Sequence, residues 1–163
     1  MNYIHPTAIV RNNVILGDNV YIGAYSVIGG PPEHREFWDK DYGTVIIGNN
    51  VRISNHVTVD AGTTGATFID HDCVLLAHSH VGHDANIGEG ATISCGVRIG
   101  GHALIGKGTN VGLNACVHQK VIVPDGCMIG MGAIVNKSTA LQPYSVYVGN
   151  PAKYLRPNAA RHV

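Results

Sequence analysis

Branched aliphatic residues recur at every sixth position along almost the whole chain. Ile4, Val10, Leu16, Ile22 and Ile28 form a first run, and Ile47, Ile53 and Val59 a second. A third runs from Ile69 through Leu75, Val81, Ile87, Ile93, Ile99, Ile105, Val111, Val117, Val123, Ile129 and Val135 to Leu141. Four residues after many of these stands a small or slim side chain, as at Ala8, Ser79, Ala85, Ala91, Ala103, Ala115, Cys127 and Ala133. Strand alternation has a period of about two and helices one of about 3.6. A period of six marks short strands joined by tight turns, the hexapeptide β-solenoid. The chain is therefore predicted to be all-β, with three hexapeptides per triangular coil and residues roughly eighteen apart stacked on one another.

Two interruptions and a fading end divide this pattern. Between Ile28 and Ile47 the sequence GGPPEHREFWDKDYGTVI holds the single Trp and a dense set of charges. Its Gly-Gly-Pro-Pro start cannot continue a strand, so an extruded loop is expected near residues 29–46. Long loops in compact proteins tend to carry function. A shorter Gly/Thr-rich break, AGTTGATF, covers residues 61–68. The reading is a β-helix over residues 1–147 and a capping tail over 148–163, because a terminal coil must be covered.

Charge and composition narrow the partners. Eleven basic and eleven acidic residues balance, so the basic excess that nucleic acid or an anionic membrane demands is absent. No apolar run approaches the ~20 residues of a membrane span. The repeat begins at once in MNYIHPTAIV, which leaves no room for a signal peptide, and a cytoplasmic location is expected. Of the four cysteines, Cys73 and Cys127 hold the same slot three coils apart, too distant to bridge. With no CxxC pair, all four are read as reduced packing residues.

The winding sorts the ten histidines. Units beginning at Val81, Ile99 and Val117 share a face and carry His83 with Asp84, His102 and His118; His80 sits at the corner before the first. His5, His34, His56, His71, His78 and His162 do not stack this way. Stacked imidazoles beside a carboxylate suit two chemistries. One imidazole can act as general base with a neighbour fixing its tautomer. Alternatively, three imidazoles can hold a catalytic zinc. The spacing His78-x4-His83 suits a metal, although those two residues fall on different faces, with Tyr42 and Ala61 at upstream positions where a further ligand would be sought.

The segments IHPTAIV (4–10), IGNNVRISNHVTVDAGT (47–63), LLAHSHVGHDANIG (75–88) and GGHALIGKGTNVGLNACVHQ (100–119) resemble the UDP-N-acetylglucosamine O-acyltransferases of lipid A synthesis. H-x-x-H-D followed by GGH and VHQ is far more specific than the repeat itself. The resemblance implies a left-handed helix, an exception to the right-handed crossover rule, and homotrimers with sites between subunits. It implies that His83 is the general base, Asp84 its orienting partner and the Gly101 N–H the oxyanion donor. His80, His102 and His118 match further site histidines, and Gln119 a residue near the carrier's pantetheine. The donor would be an acyl carrier protein or coenzyme A thioester, the acceptor a sugar or nucleotide sugar, and no cofactor or metal is expected to be bound.

Departures from the family pattern bear on specificity. The family continues as a helical domain that helps bind nucleotide phosphates, and the protein is expected to lack it. Asp60 stands where the family has a histidine. Met131 falls where long-chain members have glycine, so a shorter acyl group is expected. The ending V-G-N-P-A-K (148–153) resembles coenzyme A-dependent hexapeptide acetyltransferases, which would place Asn150 and Lys153 near the donor. The function read here is acyl transfer to a sugar hydroxyl by histidine general-base catalysis. An acetyl-coenzyme A-dependent sugar O- or N-acetyltransferase, a zinc-dependent lyase of the γ-carbonic anhydrase kind and a non-catalytic scaffold remain as alternatives.

Overall fold

Strands of mostly two residues cannot hold a sheet individually, so this chain pairs each with the equivalent strand one coil on. The computed structural model describes residues 1–37 and 40–159, leaving Trp38 and His162 outside. It is a left-handed parallel β-helix of about eight turns with three walls. The first wall has nine strands, the second seven and the third six. Register follows the predicted stacking: His80 pairs with Arg98 and Arg98 with Cys116, while Val81 pairs with Ile99 and Ile99 with Val117.

The aliphatic of each hexapeptide points inward. From Ile22 to Val135 these positions are essentially sealed from solvent, and the small residues at Ala85, Ala91, Ala103, Ala115 and Ala133 close the corners. Ile4 in the first coil is 42% exposed, having no preceding coil to cover it. The four cysteines are free, and burial pushes the Cys73 thiol up to about 11. No helix among the described residues is long and apolar enough to cross a membrane.

Both interruptions leave the helix and return to it in register. Val27–Gly30 and Thr44–Ile47 extend into the predicted loop, so the excursion proper covers residues 31–43. It packs on the second break: Gly43 donates to the Gly62 carbonyl and Thr44 to that of Gly65. A Cβ at Gly43 would collide with the Gly65 carbonyl, which explains the glycine. At the other end, Ser145–Val148 closes the first wall and pairs antiparallel with Lys153–Pro157. Tyr147, fully buried, plugs the end of the core.

Candidate active site

The turn 82–85 joins the second wall to the third, and the turns at 100–103 and 118–121 lie above it in successive coils. His83 therefore faces Gly101, whose Cβ, if present, would lie 2.6 Å from His83 Nε2. Asp84 and His102 share the next slot, both with left-handed φ of +57°. His83 Nδ1–H donates to Asp84 Oδ2 at 2.8 Å, and His102 Nε2 lies 3.6 Å from the same oxygen. The His83 and His102 rings meet edge to face with centroids 5.1 Å apart. The spacing thus brings His83, Asp84, Gly101 and His102 together as expected.

Asp84 is held by more than its histidine. Its carboxylate accepts from Thr63 N at 3.0 and 3.1 Å, and its own N–H donates to Thr67 Oγ1 at 2.8 Å. Burial alone would raise the Asp84 pKa, but the hydrogen bonds from His83 and Thr63, with His102 nearby, hold it below the usual range. An ionised Asp84 that accepts from Nδ1–H leaves Nε2 unprotonated, the state a base needs.

The Gly101 N–H is available. In equivalent slots the N–H groups of Asp18, Ala24 and Lys107 are taken by Asn49, Asn55 and Asp125 side chains of the next coil. At Gly101 the next coil offers Gln119, and among the described residues nothing accepts from that N–H.

His80 and His118 stand apart from this cluster. With Arg98, Ile99, Cys116 and Gln119 they line a groove of about 340 Å³ on the second wall, which leads to Gly100 at the corner. His80 lies within strand His80–Val81 rather than at a corner, with Thr58 Oγ1 2.8 Å from its Nδ1. Burial, then the positive charge of Arg98, holds its pKa below the ordinary value despite Glu33. His118 Nδ1–H donates to the Gln119 carbonyl at 2.9 Å. Met131, 76% exposed, lies on the opposite corner and does not line this groove. Lys153 lines a separate hollow of about 310 Å³ beside Ser138 and Thr139, and Asn150 precedes Pro151 in the turn at the end of the helix.

Spacing missed the residues that excursions supply. The first excursion lays His34 edge-on against His83, centroids 5.7 Å apart, and donates Glu33 N to Asp60 Oδ2 at 3.4 Å. Asp60, only 6% exposed, also lies 3.8 Å from His80 Nε2. Their one sequence signal was the density of charges in PPEHREF, because a loop of free length carries no register. His56 and His78, expected to lie outside the His83 stack, pack face to face at 4.9 Å with Tyr25 beside His56, along a different ridge. His78 therefore takes no part in a metal set with His83. Among the described residues, the group with ligand atoms close enough for a metal is His83, Asp84 and His102, all within 4.8 Å.

Comparisons with known proteins point to hexapeptide-repeat transferases. A model described as bacterial transferase hexapeptide matches residues 1–30, and one described as hexapeptide repeat of succinyl-transferase matches 102–137. The acyl-[acyl-carrier-protein]–UDP-N-acetylglucosamine O-acyltransferase of Campylobacter lari is 32% identical over 127 residues, covering 54% of this chain and 48% of that protein. The Caulobacter vibrioides enzyme of the same name is 32% identical over 96 residues, covering 57% of this chain and 36% of its own. The crystal structure of the Moraxella catarrhalis UDP-N-acetylglucosamine O-acyltransferase superposes with a TM-score of 0.76 at 26% identity, over 96% of this chain and 75% of that one. The chain resembles the UDP-N-acetylglucosamine O-acyltransferases and shares their fold.

This chain spans about half the length of the Campylobacter protein and about a third of the Caulobacter one. A perosamine N-acetyltransferase from Caulobacter crescentus, solved with CoA and GDP-perosamine, shares the fold at 23% identity with a TM-score of 0.53.

Proposed function

We propose that this protein transfers a short or medium acyl group from an acyl carrier protein or coenzyme A thioester to a sugar or nucleotide-sugar acceptor in the cytoplasm. The observation that carries this reading is His83, with Nδ1 bound to Asp84 and Nε2 facing Gly101. In this mechanism the acceptor's nucleophilic atom attacks the thioester carbonyl while His83 Nε2 takes its proton. Asp84 stabilises the imidazolium. The oxygen of the tetrahedral intermediate accepts from the Gly101 N–H, an interaction of roughly 3–4 kcal/mol in comparable sites. The C–S bond then breaks and the thiolate recovers the proton from His83, with no acyl-enzyme.

The donor arm would lie along the groove past His118 and Gln119, with Met131 limiting the acyl length from an adjacent subunit. Such an arrangement needs a homotrimer, and the third wall offers an interface. Its outward row is Ile15, Ile46, Phe68, Asn86, Leu104 and Ile122, each paired to the next. Ile15, Phe68, Leu104 and Ile122 are 57, 42, 40 and 62% exposed. This wall begins at the corner that bears His83, so copies packed on it would flank the site.

Incubation with a panel of acyl carrier and coenzyme A thioesters and nucleotide sugars, read by mass, tests the proposal; an acylated sugar is expected, and none from any pair would refute it. The trio His83, Asp84 and His102 favours a second reading, a zinc-dependent lyase. Stoichiometric zinc in the purified protein would support it over acyl transfer.

A further inference from the structure

The buried carboxylate of Asp60 has no part in the proton transfers described so far. Asp60 ends strand Thr58–Asp60, whose Thr58 and Val59 pair with His80 and Val81. Its neighbours are Glu33 N at 3.4 Å and His80 Nε2 at 3.8 Å. Both exceed the ~2.7–2.9 Å of a good charge-assisted hydrogen bond. Among the described residues, no lysine or arginine forms a salt bridge with it.

The charges facing Asp60 do not neutralise it. Glu33 on the excursion adds a second negative charge, and of the nearby imidazoles His80 is held towards its neutral form by burial. Burial pushes the Asp60 carboxyl up to about 6, opposed only by the long hydrogen bond from Glu33 N–H and the weaker influence of His83, so it is largely ionised at neutral pH. A buried carboxylate is costly unless a cation partners it. The missing partner is a positive charge, and the imidazoles that act on Asp60 include that of His83, the proposed base at which the acceptor must react.

We infer that the acceptor offers a protonated amine to Asp60, making the protein an N-acyltransferase of amino-bearing sugars. This rests on the acyl-transfer reading above and chooses its nucleophile. A hydroxyl has one proton to lose, which the His83–Asp84 pair alone can take. An ammonium has two, and the site has two acceptors. Asp60 accepts the first and passes it to solvent, leaving a neutral amine. The amine nitrogen attacks the thioester carbon, the C–N bond forms and His83 Nε2 takes the second proton. The C–S bond breaks and the thiolate receives that proton. The sum is ammonium plus thioester giving amide, thiol and one released proton.

The test compares UDP-N-acetylglucosamine with the analogue that carries an amine in place of the acylated hydroxyl, using wild type, Asp60→Asn and His83→Ala. Wild type should favour the amine at least tenfold in kcat/KM, and Asp60→Asn should shrink that ratio at least tenfold. His83→Ala should lower turnover of both acceptors. Equal use of the hydroxyl, or a ratio untouched by Asp60→Asn in a variant that melts cooperatively, overturns the amine inference and leaves acyl transfer standing. If wild type acylates neither acceptor from any thioester, acyl transfer itself fails. Calorimetric titration with the two acceptors then decides this inference separately: tighter amine binding lost in Asp60→Asn upholds it, and equal affinities refute it.

Discussion

Asp84 and His102 hold left-handed backbone positions, each with φ of +57°, that glycine or asparagine fills with less strain. The same slot is left-handed in other turns, as at Asn50, His56, Asp72, His78, Asn114 and Lys120, so it belongs to the coil rather than to the site. Here it keeps a carboxylate and an imidazole on consecutive coils beside His83. Gly101 shows the converse constraint, since a methyl there would press on the His83 ring. Gly101→Ala should lower acyl transfer by about 100-fold, the scale of displacing a positioned base, while circular dichroism still reports a β-helix. These residues were legible in the sequence because a stacking of eighteen residues relates them. Asp60's surroundings were not, since Glu33 and His34 arrive on an excursion of arbitrary length.

Asp60 also makes a stability prediction. Its folded pKa, about 6, exceeds the unfolded value of 3.8, so the native state binds the extra proton between them. Its contribution is therefore most favourable below about pH 4 and is lost as pH rises through about 6. Asp60→Asn should accordingly raise the melting temperature at pH 8 and lose that advantage at pH 4. An equal difference at both pH values would show that Asp60 is not desolvated in the native state.

At the scale of the element, a strand of two residues gains stability only from the coils on either side. Ile99, fully buried between Val81 and Val117, is one such link in the wall that carries the histidines. Ile99→Ala should cost about 2–5 kcal/mol in denaturant unfolding. A loss below ~1 kcal/mol would mean that the core closes over the gap. The hexapeptide period made these strands readable, down to which side chain faces in. It could not show that the two excursions brace one another through Gly43 and Gly65, or that the second secures Asp84 through Thr63. The terminal hairpin was also hidden, because its antiparallel pairing obeys no six-residue rule.

As a whole the molecule is a three-walled prism with its site at one edge and an apolar row along the adjoining wall. Copies packed on that wall would enclose the histidines and exclude water from the reacting thioester. Charged residues at Phe68 and Ile122 should disperse the assembly: in sedimentation, wild type should run as a trimer and Phe68→Glu/Ile122→Glu as a folded monomer. A double variant that remains trimeric would place the interface elsewhere.

Removal of the acceptor's proton by the His83 imidazole is the step on which the proposed mechanism rests. Its most direct test is the rate of acylated-sugar formation by wild type and His83→Ala, with matching circular dichroism for the two proteins. A fall of about 100- to 10,000-fold is expected; turnover preserved within tenfold would contradict it.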